Sequence, residues 1–172
     1  GDVYKRQDMY FYPAVTGKVL EDAGLRGLIG GPVSDAALPS HEDAASALDE
    51  LDGLLKNQSP LDNIQYAIAT HSVYLCSEDT LRRASELAEH RDGRLHIHVS
   101  ETRKEVAECH EKTGMYPVEY LDSLDFFKPG TVCAHASWVK KNEIRTLAQH
   151  GVTAVHCPSS NMKLACGGTL SL

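Results

Sequence analysis

Stretches with strand periodicity and stretches with helical periodicity alternate along almost the whole chain, and this alternation limits the possible folds more than any other feature. Residues 14–23 read as a helix and 25–30 (LRGLIG) as a short apolar strand. Ser40 with Asp43 is placed to cap a helix that puts Ala44, Ala47, Leu48, Leu51 and Leu55 on one face. The strand 63–70 (NIQYAIAT) follows, then a helix capped by Ser77 with Leu81, Ala84, Leu87 and Ala88 at helical spacing, then the strand 94–99 (RLHIHV). A helix from about 102 to Gly114, a second beginning at Pro117, the strand 131–134, a helix ending at Gly151 and the strand 152–156 complete about five βα repeats.

Strands separated by one helix each must run parallel, because each helix crosses back over the sheet before the next strand begins. Open doubly wound sheets and closed barrels both satisfy this pattern, and periodicity does not choose between them. A chain of 172 residues is short for a complete (β/α)8 barrel, which takes about 250. Residues 1–7 (GDVYKRQ) join no periodic pattern and read as a non-native leader, so the folded region is expected over 8–172.

Composition removes several function classes. Seventeen Lys and Arg against 24 Asp and Glu give a net charge of −7, with the basic residues scattered, which argues against a nucleic-acid binder. No apolar run approaches the roughly 20 residues of a membrane span, and residues 1–7 lack the pattern of a secretion signal, so a cytoplasmic location is expected. Five cysteines, widely spaced and without a C-x-x-C pair, read as reduced thiols.

The chemistry gathers at strand ends. Of the nine histidines, His71, His98, His135 and His156 stand at the C-terminal ends of predicted strands, the rim where parallel β/α proteins bind ligands. In His96-Ile97-His98-Val99-Ser100-Glu101, alternation sends Leu95, Ile97 and Val99 toward the helices and His96 and His98 toward the interior. Glu101, three residues beyond His98, can turn back over the same rim. A neutral imidazole is a metal donor and an adjacent carboxylate can move a proton, so the motif reads as a ligand beside a proton shuttle. A structural histidine pair with a surface glutamate is the plain alternative; His135, ending the next strand, tips the balance toward a site.

The segments ATHSVYLCSED (69–79), LHIHVSET (95–102), VCAHASWV (132–139) and VHCPSSNMKLACG (155–167) together resemble consecutive rim motifs of the amidohydrolase superfamily. More narrowly, they are similar to the branch of S-adenosylhomocysteine and 5'-methylthioadenosine deaminases, near the s-triazine chlorohydrolases. The resemblance implies an α/β fold, a partial (β/α)8 TIM-type barrel covering roughly strands two or three to seven and truncated at both ends. By motif, His98 matches a metal ligand, Glu101 the proton shuttle, His135 the histidine that hydrogen-bonds the attacking hydroxide, and His71 a substrate-contacting histidine; Thr70 stands where the family usually has proline.

The cofactor so implied is one divalent metal, zinc or iron, most of whose ligands, a first-strand H-x-H pair and an eighth-strand aspartate, would lie outside this chain. The implied activity is hydrolytic deamination of an adenosine-type nucleoside or related N-heterocycle by the parent enzyme, the isolated chain being inactive. The partner is a small-molecule substrate, with neither nucleic acid nor membrane, and a homo-oligomer of the parent is left open. Two alternatives stand beside it: a metal-dependent hydrolase of another C–N or C–Cl bond, and a non-catalytic β/α binding fragment.

Overall fold

The computed structural model describes residues 5–58 and 62–167. The strands are β1 (Lys5–Met9), β2 (Arg26–Val33), β3 (Ile64–Thr70), β4 (Arg94–Val99), β5 (Val132–His135) and β6 (Thr153–Val155). The helices are α1 (Pro13–Asp22), α2 (Ala44–Asn57), α3 (Glu78–Arg91), α4 (Arg103–Thr113), α5 (Pro117–Ser123), α6 (Lys141–Gln149) and α7 (Pro158–Lys163). All strand pairs are parallel and the sheet order is β1-β2-β3-β4-β5-β6.

That order settles what periodicity left open. A doubly wound sheet reverses direction at a switch point and carries helices on both faces; here each strand lies beside its predecessor, so same-handed crossovers deliver the helices that connect them to one face. Core composition agrees. Ile68, Leu95, Ile97, Val99 and Cys133 share one buried cluster with the helical residues Leu48, Leu51, Leu81, Ala84, Val118 and Leu147. On the other face Leu28, Ala67 and Val132, with Val155 against them, form a cluster containing strand residues only. The sheet is therefore a half-barrel, its concave face lined by alternate strand residues.

Local signals explain most element ends. Asp43 rather than Ser40 is the N-cap of α2, accepting from the Ser46 N–H at 2.8 Å, while the Ser40 hydroxyl bonds His41. Ser77 caps α3, Thr102 caps α4, and Gly114 ends α4 with φ 75°. Pro117 and Pro158 open α5 and α7 at positions where no backbone donor is lost.

β1 is the element missing from the sequence reading. Lys5, Arg6 and Gln7, set aside there as part of a leader, pair in register with Arg26, Gly27 and Leu28; residues 1–4 lie outside the described residues. KRQDM carries no apolar alternation, and it needs none, because its concave side meets polar partners: Gln7 Nε2 lies 3.2 Å from His96 Nε2. On β2, Gly30 makes room in the same layer, since a Cβ there would collide with the Ala69 Cβ. Among the described residues no helix is long and apolar enough to cross a membrane.

Candidate active site

Register brings the motif residues together. Ala69 pairs with His96 and His98 with Ala134, so His96 and His98 share the concave face with Ala67 and Ala69, while Ile97 and Val99 pack under the helices. His71, two residues beyond Ala69, stays in phase with that face. The three rings form a row along the C-terminal rim: His71 to His98 is 5.1 Å and His98 to His135 is 5.4 Å between centroids.

His135 reaches the row by breaking alternation. It pairs with Val99, whose side chain packs among the helices, so a continued strand would turn His135 the same way. Instead His135 (φ 70°) and Ala136 (φ 46°) adopt the left-handed region, which re-aims the imidazole over the rim. Ser100 does the same for the other motif, with φ 49°, and turns the chain so that Glu101 Oε2 comes 3.6 Å from His135 Nε2.

The His98 ring has one nitrogen tied to the backbone and the other free. Its Nδ1 lies 2.9 Å from the His71 carbonyl, which requires the proton on Nδ1 and leaves the Nε2 lone pair free. Burial, reinforced by the neighbouring His71, holds its pKa down to about 4, so the ring is neutral at physiological pH. A neutral imidazole with its second nitrogen tied to a carbonyl fits a divalent metal. Among the described residues, however, no group of three or more His, Cys, Asp or Glu is arranged to hold a metal ion.

Beneath it, His96 is 3 % exposed and burial drives its pKa to about 3; its Nδ1 has no hydrogen-bond partner. The unfolded chain, with imidazole near 6.5, takes up a proton below about that pH, and folded His96 refuses it until about 3. Stability from this depressed pKa is therefore present above about 6.5 and is lost as pH falls toward 3. His96→Gln, which cannot titrate, is expected to lose about 2 kcal/mol less than wild type between about pH 7 and 5, read from urea unfolding. Equal losses would mean that folded His96 titrates normally.

The sequence reading grouped His156 with the other strand-end histidines. It follows β6, is exposed, and does not join the row of rings. Other groups at the rim were not singled out. Glu105, 4 % exposed, accepts from the Ser100 and Glu101 N–H groups, both at 2.8 Å, and burial lifts its pKa to about 7. A signal existed: Thr102-x-x-Glu105 has the form of a capping box, but the carboxylate reaches past the cap to the two preceding residues. Asn161 and Cys166, which touch His135 and Glu101, lie in the 155–167 motif, to whose residues the sequence reading assigns no role.

Residues 8–167 match the Amidohydrolase family. The chain is 43% identical over 162 residues to a 5'-deoxyadenosine deaminase of Methanothermobacter thermautotrophicus and 40% identical over 162 residues to one of Methanosphaera stadtmanae. In both cases 93% of this chain is aligned, and it spans 38% of the relative's length. Among solved structures, an adenosine deaminase from Xanthomonas campestris with bound zinc superposes with a TM-score of 0.88 at 30% identity, over 95% of this chain and 37% of that one. The rim motifs, the half-barrel and a family match over nearly the whole chain agree: this chain belongs to the amidohydrolase family.

Proposed function

We propose that the chain is part of a metal-dependent aminohydrolase that deaminates an adenosine-type nucleoside or a related N-heterocycle. The observation that carries this reading is the convergence of His71, His98, Glu101 and His135 on one rim, with His98 Nε2 left free for a metal. The adenosine-type substrates named for relatives at 40% and 43% identity favour a purine over a triazine; triazine hydrolases at 18% identity share the fold alone.

A divalent metal, zinc in this proposal, supplies a Lewis acid that makes water acidic enough to react at neutral pH. His98 would hold it through Nε2, with further donors beyond the described residues. The residues of this chain handle the rest. Glu101 accepts a proton from the attacking water, and the oxygen bonds to the ring carbon bearing the amino group. Glu101 then returns the proton to the adjacent ring nitrogen. His135 orients the water from the opposite side, since its Nε2 stands 3.6 Å from Glu101 Oε2, too far for a direct hydrogen bond and close enough to share one water. His71, half-buried at the end of the row, faces the substrate. The proton left on the added oxygen then passes to the amino group, the C–N bond breaks, and ammonia leaves as that oxygen becomes the ring carbonyl.

The test is ammonia release by the full-length, metal-loaded protein from 5'-deoxyadenosine and 5'-methylthioadenosine. Turnover is expected with a stoichiometric divalent metal. Metal-free protein after dialysis, or turnover unaffected by a chelator that strips the metal, would refute the reading.

A further inference from the structure

The two residues that handle protons in this reading owe their orientation to one short segment. Asn161, 5 % exposed on α7, accepts from His135 Nδ1 at 2.7 Å and donates through Nδ2 to Ser137 Oγ at 2.9 Å. An amide oxygen accepts only, so the proton of a neutral His135 must sit on Nδ1 and its Nε2 must carry the lone pair toward Glu101. Five residues on, Cys166 Sγ donates to Glu101 Oε1 at 3.3 Å, which leaves Oε2 as the oxygen facing His135. The segment is closed on itself and docked: the Cys166 N–H bonds the Asn161 carbonyl at 3.0 Å, and Trp138 Nε1 bonds the Cys166 carbonyl at 2.9 Å.

We propose that Asn161 to Cys166 is a positioning element for the proton-handling pair, Asn161 setting the tautomer of His135 and the Cys166 thiol choosing which oxygen Glu101 presents. The inference rests on the roles given above to His135 and Glu101. It explains why a buried amide and a buried thiol stand behind the rim: each satisfies the atom of its partner that faces away from the water, so that only His135 Nε2 and Glu101 Oε2 remain to meet it. Without Asn161, the His135 proton can move to Nε2, where Glu101 would accept it, and the pair would bond to each other instead of to water.

Nitrogen NMR of the histidine rings in the full-length, metal-loaded protein tests this directly. Wild type is expected to show His135 protonated at Nδ1 and bare at Nε2. Asn161→Asp keeps an acceptor in place and should keep that pattern. Asn161→Leu removes it and should move the proton to Nε2, with kcat lower by about 10- to 100-fold, as for other groups that orient a functional histidine, and KM little changed. Cys166→Ala should lower kcat less, with Cys166→Ser, which retains a donor, restoring it. A wild-type His135 bare at Nδ1, or an unchanged pattern in Asn161→Leu, overturns the assignment even if turnover falls. A shifted pattern with undiminished turnover upholds the tautomer assignment and instead removes His135 from the proposed chemistry. Cys166→Ala at wild-type turnover removes the thiol from the element.

Discussion

Glu101→Gln in the full-length, metal-loaded protein is expected to lower kcat by about 10²- to 10⁴-fold, the usual contribution of a positioned general acid–base, while the metal stays bound. The substitution is close to isosteric, and the site can hold it. The side-chain oxygen can still accept from Cys166, and the new amide can donate to a water shared with His135 Nε2, 3.6 Å from Glu101 Oε2. Stability should therefore change little. What the amide cannot do is accept a proton from water and return it to the ring, so the loss falls on the chemical step rather than on binding.

His98→Ala supplies the contrast. It deletes the free Nε2 but leaves the His98 backbone N–H on the His71 carbonyl at 3.1 Å, so the local strand geometry survives. Metal content after dialysis should fall in this variant and remain stoichiometric in Glu101→Gln. Near wild-type turnover in Glu101→Gln, or metal loss as complete as in His98→Ala, would show that Glu101 is not the proton carrier.

Glu105→Leu should destabilise the fold by about 2 to 5 kcal/mol and take turnover down with it. The Ser100 and Glu101 N–H groups that its carboxylate accepts point into a buried turn, where Ser100 is 0 % exposed, and each donor stranded there costs about 1 to 3 kcal/mol. The left-handed backbone at Ser100, φ 49°, is held by those bonds; without them the turn that presents Glu101 relaxes. Glu105→Gln keeps one acceptor and should fall between the two. Urea midpoints of the three proteins give the ranking, and a Glu105→Leu midpoint equal to wild type would show that water satisfies the turn.

Several features were legible in the residues because each depends on local chemistry. Alternation in RLHIHV separated Leu95, Ile97 and Val99 from His96 and His98, and the structure places the two sets on opposite faces. Ser77, Pro117 and Gly114 marked helix ends for reasons of capping and backbone freedom that act within a turn. β1 escaped the reading because its polar residues face a polar interior formed by strands distant in sequence.

The site was legible as a set of strand-end residues and illegible as a geometry. Sequence spacing alone determined that His71, His98 and Glu101 lie at the ends of parallel strands, since a period of two and the direction of the chain leave no other place for them. That His135 faces them was decided by two left-handed residues, which defeat the alternation they follow. The order of the strands, hence a half-barrel rather than a doubly wound sheet, was decided by which edges pair. So were the contacts of Asn161 with His135 and of Cys166 with Glu101, 26 and 65 residues apart along the chain. Hydrogen bonds of that range leave no periodic trace in a sequence, because they are set by packed elements meeting in space and not by the repeat of any one of them.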